Sequence, residues 1–138
     1  MVYVDASVIL RHVLSQPGAI ASPAVVQPGV ASEISQLECL RALDRMRLAN
    51  GLPEEHVALA RRGVLQMLAG LTIVRVDPVV LEFAGRALPV PLRTLDAIHL
   101  ASAVLWRDAE DPDLVMATHD RSLGSAARAF GLEVIGLS

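Results

Sequence analysis

Lysine is missing from this chain of 138 residues, and its 12 basic side chains are all arginines. The absence excludes a nucleotide-binding loop of the Gly-Lys-Ser/Thr type, which needs its lysine on the phosphates. It also argues against phosphoaspartate enzymes and receiver domains, because both rely on a lysine near the aspartate that follows their first strand. No Gly-x-Gly-x-x-Gly motif follows the first predicted strand, so a dinucleotide-binding fold is not indicated.

Cysteine, aromatic residues and long apolar runs are scarce as well. Cys39 is the single cysteine, which indicates a reducing compartment and excludes a zinc module. Two Phe, one Tyr and one Trp do not favour nucleic-acid recognition by stacking, and a formal charge of −3 argues against a broad phosphate-binding surface. The longest uncharged run, residues 12–32, is interrupted by prolines and glycines. We therefore expect no signal peptide, no membrane span and a cytoplasmic location.

The residues that are present predict an α/β fold. A hydrophobic content of 53% is enough for one core, so we expect a single domain over residues 1–138. The patterns predict strands at 2–4, 29–32, 71–76, 114–117 and 133–136, and helices at 6–14, 35–49, 53–69, 79–88, 121–130 and one that Thr94 caps at its start. Because the strands alternate with helices, we expect a mostly parallel central sheet covered on both faces.

Four carboxylates are candidates for a shared site. Asp5 and Asp120 follow predicted strands, Glu38 lies one turn into a helix, and Asp96 lies in the first turn of a helix that is apolar nearly all round. Ligands bind outside the carboxyl ends of parallel strands, and a buried carboxylate needs a fixed partner or a cation. If the four converge, a hard divalent ion such as Mg²⁺ or Mn²⁺ relieves their repulsion.

Each carboxylate also has a plainer explanation. Asp5 and Asp120 could cap the helices that follow them, and Glu38 could form an ion pair with Arg41 on the surface. The overall charge is compatible with a phosphate substrate, since removing the four from 15 acidic residues leaves 11 against 12 arginines. These alternatives remain open at the level of the sequence.

Four short motifs occur in a particular order along almost the whole chain: Asp5-Ala6-Ser7, then Glu38-Cys39-Leu40-Arg41-Ala42, then Thr94-Leu95-Asp96-Ala97-Ile98-His99-Leu100-Ala101, and last Ala117-Thr118-His119-Asp120. In this order and spacing they resemble the motifs of PIN-domain nucleases, specifically the VapC-like toxins of toxin–antitoxin systems. The resemblance implies a three-layer α/β/α sandwich that binds Mg²⁺ or Mn²⁺ and cleaves RNA phosphodiester bonds.

Roles for individual residues follow from the same resemblance. Asp5, Glu38 and Asp96 would be the core metal-binding and catalytic acids, with Asp120 the fourth. Ser7 and Thr118 would support them with their hydroxyl groups, and Arg41 and Arg45, on the helical face of Glu38, are candidates for contacts with RNA phosphates. For His99 we favour a supporting role over that of general base, because a metal already activates the water.

The resemblance also implies partners. A small VapB-like antitoxin would cover the acidic site, with an arginine among the carboxylates, and the protein would form a homodimer. The alternative is a non-catalytic PIN domain that serves only to bind another protein. We further interpret the Pro/Gly-rich segment 15–29 as a mobile flap near the substrate or the partner.

Overall fold

The computed structural model describes residues 1–20 and 22–137 and shows strands that alternate with helices. The elements are β1 Val2–Val4, α1 Ala6–Val13, a 3₁₀ helix at Pro23–Val26, β2 Gly29–Ser32, α2 Ile34–Asn50, α3 Glu54–Ala69, β3 Thr72–Val74, α4 Pro78–Ala84, α5 Thr94–Ala109, β4 Val115–Ala117, α6 Arg121–Ala129 and β5 Glu133–Ile135. None of the helices in the described ranges has the length and apolar content needed to cross a bilayer.

All five strands form one parallel sheet in the order β3-β2-β1-β4-β5. Successive side chains of a strand point to opposite faces, and each face of this sheet therefore carries its own apolar cluster. Val4, Ala31 and Ala117 face α1, α2 and α3. Tyr3 and Met116 face α5 and α6 on the other side. The predicted three-layer α/β/α sandwich with a parallel sheet is thereby confirmed.

The chain order places a crevice between β1 and β4. The connection from β1 runs through α1 to β2 on one side, whereas β4 pairs with β1 on the other, with Val4 opposite Ala117. In open α/β sheets, ligands bind at the carboxyl ends of the strands where the connections diverge in this way. The fold thus brings the residues that follow Val4 and Ala117 together.

Most predicted boundaries lie within one residue of the observed ones, and three local predictions differ by more than that or in the role of a residue. Thr94 is the first residue of α5 and Arg93 occupies the N-cap position, so Thr94 does not cap the helix. The predicted helix at 79–88 ends at Ala84: the N–H of Gly85 still bonds to the Leu81 carbonyl, but the next N–H, that of Arg86, bonds to the Phe83 carbonyl three residues back and breaks the α-helical pattern. The predicted strand at 71–76 is shorter, at Thr72–Val74.

Segment 15–29, which we interpreted as a mobile flap near the substrate, begins and ends on the side of the sheet away from the predicted acidic site. Helix α1 runs from Asp5 toward Leu14, away from the carboxyl end of β1. On its return, Val26 packs in the core with 1% exposure, and Pro28 accepts a hydrogen bond from the N–H of Val2 at the start of β1. Both ends of the segment therefore lie opposite the predicted acidic site. Residue 21 falls outside the described residues.

Candidate active site

The four predicted carboxylates line one cavity of about 420 Å³ at the carboxyl ends of the strands. Each comes from a different part of the chain: Asp5 follows β1, Glu38 lies on α2, Asp96 begins α5 and Asp120 follows β4. Ser7, Arg41 and Arg45 line the same cavity, and the apolar side chains of Leu10, Ile34, Leu37 and Leu95 complete its wall. The structure therefore brings together all the residues that the motifs singled out, with Thr118 buried behind Asp5.

Asp5 is held by two hydroxyl groups. Its Oδ2 accepts hydrogen bonds from Ser7 Oγ at 2.6 Å and from Thr118 Oγ1 at 2.9 Å, and only 4% of the residue is exposed. Asp5 precedes α1, but its side chain makes no capping hydrogen bond, so the helix-cap explanation of Asp5 is wrong. Hydroxyl donors stabilise a buried carboxylate in the charged form and fix its direction.

Asp120 combines a capping role with its place in the cavity. Its Oδ1 accepts a hydrogen bond from the N–H of Leu123 at 3.0 Å at the start of α6, so the plainer explanation of Asp120 holds for this oxygen. Its own N–H donates to Thr118 Oγ1 at 3.0 Å. Thr118 thus connects Asp120 to Asp5, the two acids that follow neighbouring strands.

Glu38 does not form the surface ion pair with Arg41. Arg41 instead donates to Asp44 on the same helix at 3.2 Å. Glu38 Oε1 lies 2.5 Å from Nε2 of His99, a residue on α5 with no exposed surface. The same Nε2 lies 3.5 Å from Asp5 Oδ1, so one imidazole nitrogen reaches two of the acids.

The side chain of Asp96 forms no hydrogen bond or ion pair with the residues that the structure describes. Partial burial raises its pKa from 3.8 to about 6, and the negative charges of Asp120 and Asp5 contribute further to the rise, against the lowering effect of His99. For His99, burial lowers the pKa, but the hydrogen bond to Glu38 and the charge of Asp5 outweigh it, and the pKa is raised. The electric field in the cavity is therefore one that favours positive charge.

These donors fit a hard divalent ion by their chemistry. The lining offers carboxylate and hydroxyl oxygens, which Mg²⁺ and Mn²⁺ prefer. Across residues 1–20 and 22–137, however, no three His, Cys, Asp or Glu side chains are already arranged as a complete metal-binding group. Binding an ion therefore requires the carboxylates to reorient, and Asp96, whose side chain has no hydrogen-bonding partner in the part of the chain that the structure describes, is the most free to do so.

Two residues near the acids were not singled out from the sequence. Arg93 lines a second cavity of about 540 Å³ that shares Asp96 and Asp120 with the first. Arg93 directly precedes the motif that begins at Thr94, and this position could have identified it from the sequence as a neighbour of the acids. Tyr3 is completely buried and contacts His99. It lies two residues before Asp5, a spacing that directs both side chains to the same face of an extended chain and that could have identified Tyr3 as a neighbour of the site.

A parallel sheet with acidic residues gathered where β1 and β4 end is the arrangement of a PIN domain, and residues 2–129 match the sequence profile of that family. The chain belongs to the PIN-domain family, and within it to the VapC-like proteins. Ribonuclease VapC46 of Mycobacterium tuberculosis is 36% identical over 99% of this chain and 98% of its own length. Ribonuclease VapC49 of the same organism is 31% identical over 97% and 94%.

A solved structure shares the fold. FitAcB from Neisseria gonorrhoeae superposes with a TM-score of 0.64 over 97% of this chain and 96% of its own, at 17% sequence identity. This likeness supports the architecture alone.

Proposed function

We propose that this chain is an endoribonuclease that depends on Mg²⁺ or Mn²⁺ and acts as the toxin of a toxin–antitoxin pair. One observation carries the proposal: carboxylates from four separate elements line a single cavity beside two arginines. The relatives named ribonucleases, which match nearly the full length of the chain, support the same activity. Residues 1–138 would act as one PIN domain in the cytoplasm.

In this proposal Asp5, Glu38, Asp96 and Asp120 hold the ion. When bound, a divalent ion promotes loss of a proton from water and stabilises charge that develops on the phosphate oxygens. Ser7 and Thr118 keep Asp5 directed into the cavity through their hydrogen bonds. The carboxylates thus supply the negative charge that retains a cation next to a polyanionic substrate.

Arginines on either side of the acids would bind the RNA backbone. Arg45 is exposed and has no ion pair with the described residues, whereas Arg41 is already engaged by Asp44. Arg93 is exposed on the opposite side, in the second cavity. Because Asp96 and Asp120 separate the two cavities, a strand that contacts Arg45 and Arg93 passes over the acids.

The antitoxin and the homodimer also belong to this proposal. Leu37 and Leu95 line the acidic cavity with 63% and 45% of their surface exposed, an apolar border that a partner can cover. A segment with an arginine flanked by apolar residues matches both the border and the acids. Such a segment would inhibit cleavage by replacing the ion.

The test is cleavage of single-stranded RNA by the purified protein. We expect cleavage with Mn²⁺, none with a chelator, and a loss of at least 100-fold in Asp5→Asn, because the ion then has one fewer charged ligand. Asp113→Asn, a change at an exposed acid away from the cavity, is the matched control. If the wild type leaves RNA intact with Mn²⁺ present, the non-catalytic alternative replaces this proposal.

A further inference from the structure

Tyr3 and His99 form a buried polar pair directly behind the acidic cavity. Both have 0% exposure, and Tyr3 Oη lies 2.8 Å from His99 Nδ1. The other ring nitrogen, Nε2, lies 2.5 Å from Glu38 Oε1 and 3.5 Å from Asp5 Oδ1. A continuous line of polar contacts therefore runs from the core side of β1 through the imidazole to two of the acids.

The contacts determine which ring nitrogen must carry hydrogen. Ionised carboxylates only accept hydrogen bonds, so Nε2 has to present an N–H toward Glu38 and Asp5. In the neutral ring Nδ1 then has a lone pair, which the hydroxyl of Tyr3 satisfies by donating. The imidazolium also presents Nε2–H, with Tyr3 as acceptor. Only the tautomer with hydrogen on Nδ1 alone would turn a lone pair toward the carboxylates.

Packing alone does not account for this pair. A buried polar group is costly unless it is hydrogen-bonded, and the pair lies among apolar side chains that include Val30, Leu100 and Met116, with the hydroxyls of Ser102 and Ser32 as further polar neighbours of Tyr3. Phenylalanine and leucine would fill the same space without that cost. The two rings also meet edge to face, with centroids 5.9 Å apart and planes at 73°, an arrangement that holds the imidazole in one orientation.

We propose that Tyr3 and His99 are positioning residues: Tyr3 satisfies Nδ1 and fixes the direction of the imidazole, and His99 holds Glu38 and Asp5 close together and directed into the cavity. This inference rests on the proposed function. Glu38 belongs to α2 and Asp5 to the end of β1, and the like charges would otherwise move them apart. The contact with His99 uses Glu38 Oε1 and leaves Oε2 for an ion.

The first test is the variant Tyr3→Phe, which keeps the ring and removes the hydroxyl. Nitrogen NMR of the metal-free protein should show hydrogen on Nε2 of His99 in both the wild type and Tyr3→Phe, with the Nδ1 resonance shifted in the variant because the hydroxyl partner of Nδ1 is gone. Calorimetry should show Mn²⁺ affinity reduced about 10-fold or more, as is typical when a residue that orients a metal ligand is lost. The value of kcat for RNA should fall while KM stays within about twofold, because no phosphate contact changes.

The second test replaces the histidine. His99→Gln retains an N–H that can reach Glu38 and should keep more Mn²⁺ affinity than His99→Leu, which offers none. Ser35→Ala removes another buried hydroxyl, one without a hydrogen-bonding partner among the described residues, and His12→Leu removes a histidine at the far end of α1. Both controls should bind Mn²⁺ like the wild type.

Specific results would overturn the inference. One is a wild-type protein in which His99 carries hydrogen on Nδ1 alone. The other is a Tyr3→Phe variant that keeps the Mn²⁺ affinity and the kcat of the wild type. If His99→Leu does not fold, the Mn²⁺ affinities of Tyr3→Phe and His99→Gln relative to the wild type test the inference instead. A wild type that neither binds Mn²⁺ nor cleaves RNA would instead refute the proposed function, and the tautomer measurement on the metal-free protein would still judge the geometry of the pair.

Discussion

Replacing Asp96 with asparagine should stabilise the metal-free protein and abolish its activity. Asp96 is half-buried, lies among like charges and has no hydrogen-bonding partner within residues 1–20 and 22–137. A rise of its pKa from 3.8 to about 6 corresponds to about 3 kcal/mol for a fully buried group. Because water screens the exposed half of this side chain, we expect about 1 kcal/mol at neutral pH.

The pH dependence of the difference in stability between Asp96→Asn and the wild type shows whether the raised pKa of Asp96 is its cause. A carboxyl group with a raised pKa holds its proton more tightly in the native state than in the unfolded chain. The contribution of Asp96 to stability should therefore fall as the pH rises from about 4 to about 6, so Asp96→Asn should become more stable relative to the wild type over this range. The two proteins should be equally stable below about pH 4 and differ by about 3 °C in Tm at neutral pH.

The assay is thermal unfolding of metal-free protein across this pH range, followed by circular dichroism, with Asp113→Asn as the control. Excess Mn²⁺ should reverse the order of Tm, since a ligand stabilises only the protein that binds it. A variant that is less stable than the wild type at neutral pH, or a difference that does not change with pH, would refute the reasoning.

Three further predictions concern the support of the site and its substrate. Thr118→Val removes the hydroxyl that donates to Asp5 at 2.9 Å; it should cost about 1–3 kcal/mol in urea unfolding and lower Mn²⁺ affinity in calorimetry. Arg45→Ala should raise KM for RNA with kcat unchanged, and it should reduce the slope of log binding constant against log salt concentration by about one. Arg62→Ala on α3 should do neither. Gly136→Ala should destabilise the protein by more than about 1 kcal/mol in the same unfolding assay, because φ is +97° and the new Cβ would lie 2.6 Å from the Thr118 carbonyl oxygen.

The order of the elements could be predicted from the sequence because it depends on local patterns. Val2–Val4 is a short strand rich in β-branched residues and is followed by an acid, and Gly51 closes α2 in the left-handed conformation that glycine adopts at helix ends. The end of the helix after Pro78 was misjudged because Leu88 continues the apolar pattern. Only the backbone shows that the helix has already closed at Gly85.

The partners of the site residues depend on contacts between distant positions. Glu38 has Arg41 within reach on its own helix, and a local pair of this kind is the reasonable expectation from sequence. Its actual partner, His99, is 61 residues away and is brought there by the packing of α5 against the sheet. Tyr3 was overlooked because a tyrosine in a strand is usually explained by packing alone.

The central claim, that these acids gather to hold a divalent ion, is tested most directly by diffraction from crystals of the protein grown with Mn²⁺. The anomalous difference map should show a peak in the cavity lined by Asp5, Glu38, Asp96 and Asp120, and the peak should vanish in Asp5→Asn. Full occupancy of Mn²⁺ elsewhere, or an empty cavity in protein that cleaves RNA under the same conditions, would contradict it.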